Sequence, residues 1–160
     1  MPQIDDHLKW CLKDPKRLIK TKPDLDSAQK HIKKSEYNYS VVQNLERLKI
    51  YDWALNVGFY AIYHCFLALL AKYGYESKNQ ACTITVLLTL INEKKITLDK
   101  DLVTQFDTLD VEKNITNPTV RESRELSTYG VETSINLQQL KKIKDLILKV
   151  QRETIRILRE

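Results

Sequence analysis

The sequence predicts an all-α fold: a mostly up-and-down bundle of about five helices with a short N-terminal arm. Three observations carry this. Glycine and proline are scarce, 3 and 4 residues in a chain of 160, so the turns of an all-β chain are not supplied. Apolar residues recur at three- and four-residue steps along several segments, which is the spacing of one helical face. One stretch, Tyr51–Tyr75 (YDWALNVGFYAIYHCFLALLAKYGY), is apolar nearly all round from Trp53 to Ala71, with Asn56 and His64 its plainly polar members. A helix of that kind must be surrounded by other helices or by lipid.

Residues 1–24 read as the arm and 25–160 as the bundle. Within the arm, IDDHLKWCLKD suits a short helix with Leu8, Leu12, Trp10 and Cys11 facing inward, and Pro15 and Pro23 break anything longer. The first long helix is expected from about Leu25–Ser27 to Lys49, capped by Asp26 or Asp24, with Ala28, Ile32, Ser35, Tyr39, Val42 and Leu45 on one face. The second is the apolar rod, which opens at Tyr51-Asp52 and ends at a left-handed cap on Gly74. The third covers Lys78–Asn92 with Ser77 as its cap; the β-branched run CTITVLLTLI has no turn chemistry to pair it as a strand. A short fourth helix is expected over Asp99–Glu112, burying Leu102, Phe106 and Leu109. After it come a loop broken at Asn117-Pro118, a helix over Thr119–Thr128 ended by Gly130, and a long last helix over Asn136–Arg159.

Hydrophobic content of 42% and charged content of 29% are those of a globular chain. The formal net charge of +5 permits an anionic partner without demanding one. The last helix holds most of that excess, seven basic against three acidic residues over 136–160, and contains no aromatic residue on which a base could stack. Cys11, Cys65 and Cys82 are odd in number and widely spaced, which speaks against a disulfide framework or a zinc ribbon. The acidic start MPQIDDHLKW is no signal peptide, so the expected location is cytoplasmic. A membrane span over Trp53–Ala71 is disfavoured by Asn56, Gly58, Tyr60, Tyr63 and His64 within it.

The residues at 51–80 form a recognisable pattern. Phe59-Tyr60, then Ile62, then Tyr63-His64, then Gly74-Tyr75 resemble the signature of the HEPN (higher eukaryotes and prokaryotes nucleotide-binding) domain, with Asn79-Gln80 standing where that family commonly has a His. In helix order the resemblance runs from about Leu25 to Leu158. It implies a helical domain that binds nucleotide or RNA, works as a homodimer and needs no cofactor. In its ribonuclease members an Arg, four to six residues and a His act together at a dimer cleft without metal. The matching segment is TVRESRELSTYGV, Thr119–Val131. After Arg124 and four residues comes Tyr129 rather than His, and no His follows His64.

That difference falls on the residue that would take a proton from a ribose 2′-hydroxyl. Imidazole titrates near neutrality and suits the task; a phenol, titrating at about 10, donates hydrogen bonds but is a poor base. Arg is a planar fork that suits a phosphate. The resemblance therefore makes Arg121, Arg124 and Tyr129 the nucleotide- or phosphate-binding candidates, Arg124 and Tyr129 the residues any catalysis would use, and Tyr60 and His64 a second tier. The blander alternatives are a surface ion pair for Arg121 with Glu125, a solvated Arg124, and a hydrogen-bonded core role for Tyr60 and His64. On a regular helix Arg124 and Tyr129 lie about 140° apart, so they converge only if the helix ends early or a second subunit supplies one of them. Two rival functions stay open: a metal-independent endoribonuclease toxin with a nucleotidyltransferase-like partner, and a non-catalytic interaction scaffold. His7 and Cys11, four residues apart, are two metal-compatible ligands without the further ones that zinc needs, so no metal is expected.

Overall fold

The computed structural model describes residues 2–107, 119–131 and 137–160. Among these are seven helices and one two-stranded ribbon, so the fold is all-α in character. The three long helices are α2 (Leu25–Arg47), α3 (Tyr51–Lys72) and α7 (Leu137–Leu158). Side-chain pairs fix their directions. His31 meets His64, and Ser35 donates to the Ala61 carbonyl, so α2 and α3 are antiparallel. Lys144 meets Glu46 while Gln151 meets Ser35, so α7 also runs against α2. The close approach of α3 and α7 falls at Gly58, where an added Cβ would stand 3.0 Å from Ile143 Cγ2.

The start of α2 follows from local chemistry: the Asp24 carboxylate accepts from the Ser27 N–H at 2.9 Å. Gly74 at the end of α3 has φ +81°, the left-handed geometry expected of it. Helix α4 (Gln80–Asn92) begins two residues later than the sequence suggests. Its cap is Asn79, accepting from the Cys82 N–H, whereas Ser77 is drawn into the ribbon. Helix α5 (Lys100–Phe106) is capped by Asp99 and buries Leu102 and Phe106 as expected. The expected continuation to Glu112, with Leu109, and the break at Asn117-Pro118 lie outside the described residues. Helix α6 (Val120–Tyr129) starts at the Thr119 cap and ends at Gly130.

The arm is more ordered than the sequence suggests. Helix α1 (Pro2–Leu12) buries Ile4 and Cys11, with Leu8 packed beside them, while Trp10 and Leu12 face outward. The buried set steps by four and three, so the inward stripe is 4, 8, 11 and the expected inward places of Trp10 and Leu12 are corrected. Strand β1 (Leu18–Lys20) pairs antiparallel with β2 (Tyr75–Ser77), Leu18 opposite Ser77. The expectation of no disulfide is also corrected. Cys11 is bonded to Cys82 across 71 residues of sequence, because α1 lies along α4. Spacing along the chain carries no information about that contact; only the docking of the two helices creates it.

Helix α3 is the one described helix long and apolar enough to cross a membrane, and 67% of its most apolar window is buried within the fold. Its enclosure is incomplete. Trp53 is 53% and Tyr60 42% exposed, and Asn56, Val57 and His64 beside them are half-buried. These five share one helical face, so the central helix presents a single solvent-facing stripe.

Candidate functional site

That stripe borders α6. Beneath it, Phe59 stacks on Phe106 at 4.8 Å between centroids and on Tyr63 at 5.8 Å, and Phe66 meets Phe106 edge-on. Tyr63 is held by the Thr83 hydroxyl at 3.0 Å, and burial pushes its phenol above the usual range. Tyr60 leans edge-on against Phe59 at 5.0 Å. The result is a packed aromatic column with one open end.

Arg124 lies over that end. Its guanidinium carbon is 4.5 Å from the Phe59 centroid and 6.0 Å from that of Tyr60, a cation–π arrangement. The side chain is only 14% exposed, so it is not the solvated arginine that the sequence leaves open. Its Nε is buried with no hydrogen-bond partner, as are Asn56 Oδ1 on α3 and Thr128 Oγ1 one turn along α6. Among the described residues the acid paired with it is Glu125, whose carboxylate oxygen lies 3.8 Å from Arg124 Nη2, beyond hydrogen-bond length.

Arg121 is differently placed. Its Nε donates to Asp107 Oδ1 at 2.8 Å and its Nη1 to Glu125 Oε1 at 2.9 Å. The pair with Glu125 is the one its spacing suggests; Asp107, fourteen residues back, is a partner that sequence reasoning missed. These carboxylates, Asp107 first, raise the guanidinium's pKa further. With two acids on it, Arg121 has little charge left for a phosphate. Tyr129 ends the regular α6 and is 78% exposed, so one chain does not bring it onto Arg124.

His64 finds the satisfied position that a polar tip on a core helix needs. Its Nδ1 is 2.9 Å from Nδ1 of His31. Burial, then the charges of His31 and Lys34, lower its pKa to about 4. Among the described residues, no group of three or more His, Cys, Asp or Glu is placed to hold a metal ion. His7 bonds the Thr85 hydroxyl at 2.6 Å, and Cys11 is in its disulfide. Of the basic residues on α7, Lys144 is paired with Glu46, and Arg156 with Glu153 and Glu160.

A comparison with curated proteins finds no match. A comparison with protein-family models finds the HEPN domain over residues 28–142, which takes in most of α2, all of α3 to α6, the aromatic column and Arg124. The chain belongs to the HEPN domain family.

Proposed function

We propose that this protein binds the phosphate of a nucleotide or of RNA at Arg124, as a homodimer, and does so without cutting it. One observation carries the reading: Arg124 is held on the Phe59 ring with its Nε unpartnered and, among the described residues, no carboxylate within hydrogen-bond distance. A guanidinium fixed by a ring on one face keeps its edge for a planar, bidentate acceptor. Exposed Tyr60 beside it is a surface on which a base stacks. The site holds no imidazole at the family's position, since Tyr129 stands there, and a phenol is a poor base.

The homodimer is supported by the α3 stripe. Trp53 and Tyr60 on α3, with Leu126, Tyr129 and Val131 on or just after α6, are exposed apolar or aromatic residues on the elements that carry Arg124. A second copy that covers the exposed α6 end, with Tyr60 left open at the edge of the cleft, brings a second Tyr129 near the first Arg124. A nucleotidyltransferase-like companion belongs to the same proposal; co-purification from the source cell tests it.

The test is a titration of ATP and, separately, of a fluorescein-labelled oligouridylate at low salt, against the parent chain and Arg124→Ala. Saturable binding that Arg124→Ala abolishes, with the RNA left intact, is the expected result. The two ligands tell free nucleotide from RNA. RNA cleavage lost with Arg124→Ala makes the protein a ribonuclease instead. No saturable binding of either ligand leaves the scaffold reading.

A further inference from the structure

The charged side chains of α6 differ in what they are free to do. The buried Asp107 receives Gln80 Nε2 on Oδ2 at 2.9 Å and Arg121 Nε on Oδ1 at 2.8 Å. Fixed from behind in this way, Arg121 presents Nη1 to Glu125 Oε1 at 2.9 Å. The same Glu125 oxygen stands 3.8 Å from Arg124 Nη2. Glu125 is therefore shared unequally, in hydrogen-bond contact with Arg121 and out of it with Arg124. It follows Arg124 directly in the chain and is 43% exposed, and among the described residues Arg121 is the one that holds it by a hydrogen bond.

We propose that Asp107 and Arg121 act as a holder for Glu125, keeping this internal counterion off Arg124 so that the Arg124 guanidinium stays open to a phosphate. The proposal rests on the reading of Arg124 as the phosphate-binding residue. Asp107 and Arg121 are positioning residues in it and touch no ligand.

The holder predicts an effect opposite in sign to plain electrostatics. Removing the Asp107 carboxylate makes the neighbourhood more positive, which by itself tightens anion binding. With the holder broken, Arg121 is released, Glu125 turns to Arg124, and binding weakens.

The experiment titrates a fluorescein-labelled oligouridylate at low salt against the 160-residue chain and its variants. Asp107→Asn is expected to weaken binding roughly three- to fivefold, the scale of one exposed ion pair. Arg121→Lys, which keeps the net charge but loses the fork that spans two carboxylates, is expected to do the same. Adding Glu125→Gln to either restores the parental affinity. Parental or tighter binding by both single variants overturns the holder, as does a loss that Glu125→Gln fails to restore. If Asp107→Asn does not fold, Arg121→Lys with and without Glu125→Gln decides the matter. Parental binding by Arg124→Ala overturns the phosphate reading, and the holder with it. Binding that needs Arg124 but is indifferent to Asp107 and Arg121 overturns the holder alone.

Discussion

The Nδ1 atoms of His31 and His64 are 2.9 Å apart while their ring centroids are 5.2 Å apart. The centroid separation exceeds the nitrogen separation by one ring width, so the imidazoles lie end to end along the N···N line. Such a contact is an N–H···N hydrogen bond, which needs a proton on one Nδ1 and a lone pair on the other. The two histidines therefore adopt opposite tautomers, and the pair cannot take a second positive charge without losing its bond.

A pH dependence follows. Burial lowers both pKa values, His64 to about 4, with the charges of His31 and Lys34 adding to its shift. Unfolded, each histidine titrates at about 6.5. Between those values the unfolded chain binds more protons, so this contribution to stability is complete above about pH 6.5 and is lost as pH falls toward 4. The double variant His31→Gln/His64→Gln should show a smaller drop in Tm between about pH 7 and pH 5 than the parent does. Equal slopes in the two thermal-melt series would refute the account.

The Cys11–Cys82 bond closes a loop of 71 residues, and the chain-entropy model values such a crosslink at about 4 kcal/mol. Urea unfolding of the oxidised protein should therefore need clearly more denaturant than unfolding in the presence of a reductant. The remaining thiol, Cys65, is fully buried, and burial pushes its pKa up to about 12. The oxidised native protein should accept almost no thiol reagent, and the unfolded, unreduced protein one equivalent. Three reactive thiols on unfolding would mean that the bond had not formed.

Gly74 is a backbone requirement rather than a packing choice. Its φ is +81°, and an added Cβ would stand 2.6 Å from the Thr21 carbonyl oxygen, on the residue whose N–H donates to the Gly74 carbonyl at 2.7 Å. Gly74→Ala thus meets both the left-handed penalty of about 1 kcal/mol and a backbone clash, and it should destabilise by about 2 kcal/mol or more. Equilibrium denaturation measures this; an unchanged midpoint would show that the α3–β2 turn relaxes freely.

How much of this was legible in the sequence depended on whether the cause was local. Helix positions followed from periodicity and caps, and errors at their starts were small: Asn79 rather than Ser77 caps α4, because Ser77 is taken by the pairing with Leu18. The inward face of α1 went wrong at Trp10 and Leu12 because an eleven-residue segment offers more than one plausible stripe. The missed contacts all join residues far apart in sequence, as in Cys11 with Cys82, His31 with His64, Arg121 with Asp107, and Arg124 with Phe59. Arg124 was visible as a candidate only through the family pattern around it. That Arg121 is neutralised while Arg124 is not depends on where α5 ends, which no spacing rule supplies.

The seat of Arg124 on Phe59 makes lysine a poor substitute. An ammonium keeps the charge and its attraction to a ring, but it is a compact, strongly hydrated point that neither lies flat on the ring nor offers a planar fork. Arg124→Lys should therefore lose the flat stacking of the guanidinium on the ring, up to about 1 kcal/mol for a partly buried pair, as well as bidentate contact with a phosphate. Two measurements separate these losses. Urea denaturation should show a stability loss of that size in Arg124→Lys, and a similar one in Phe59→Leu after allowance for its smaller side chain. Oligouridylate titration should show Arg124→Lys closer to Arg124→Ala than to the parent. If lysine instead restores parental affinity, charge alone serves the site, and the ring beneath Arg124 is packing without a part in binding.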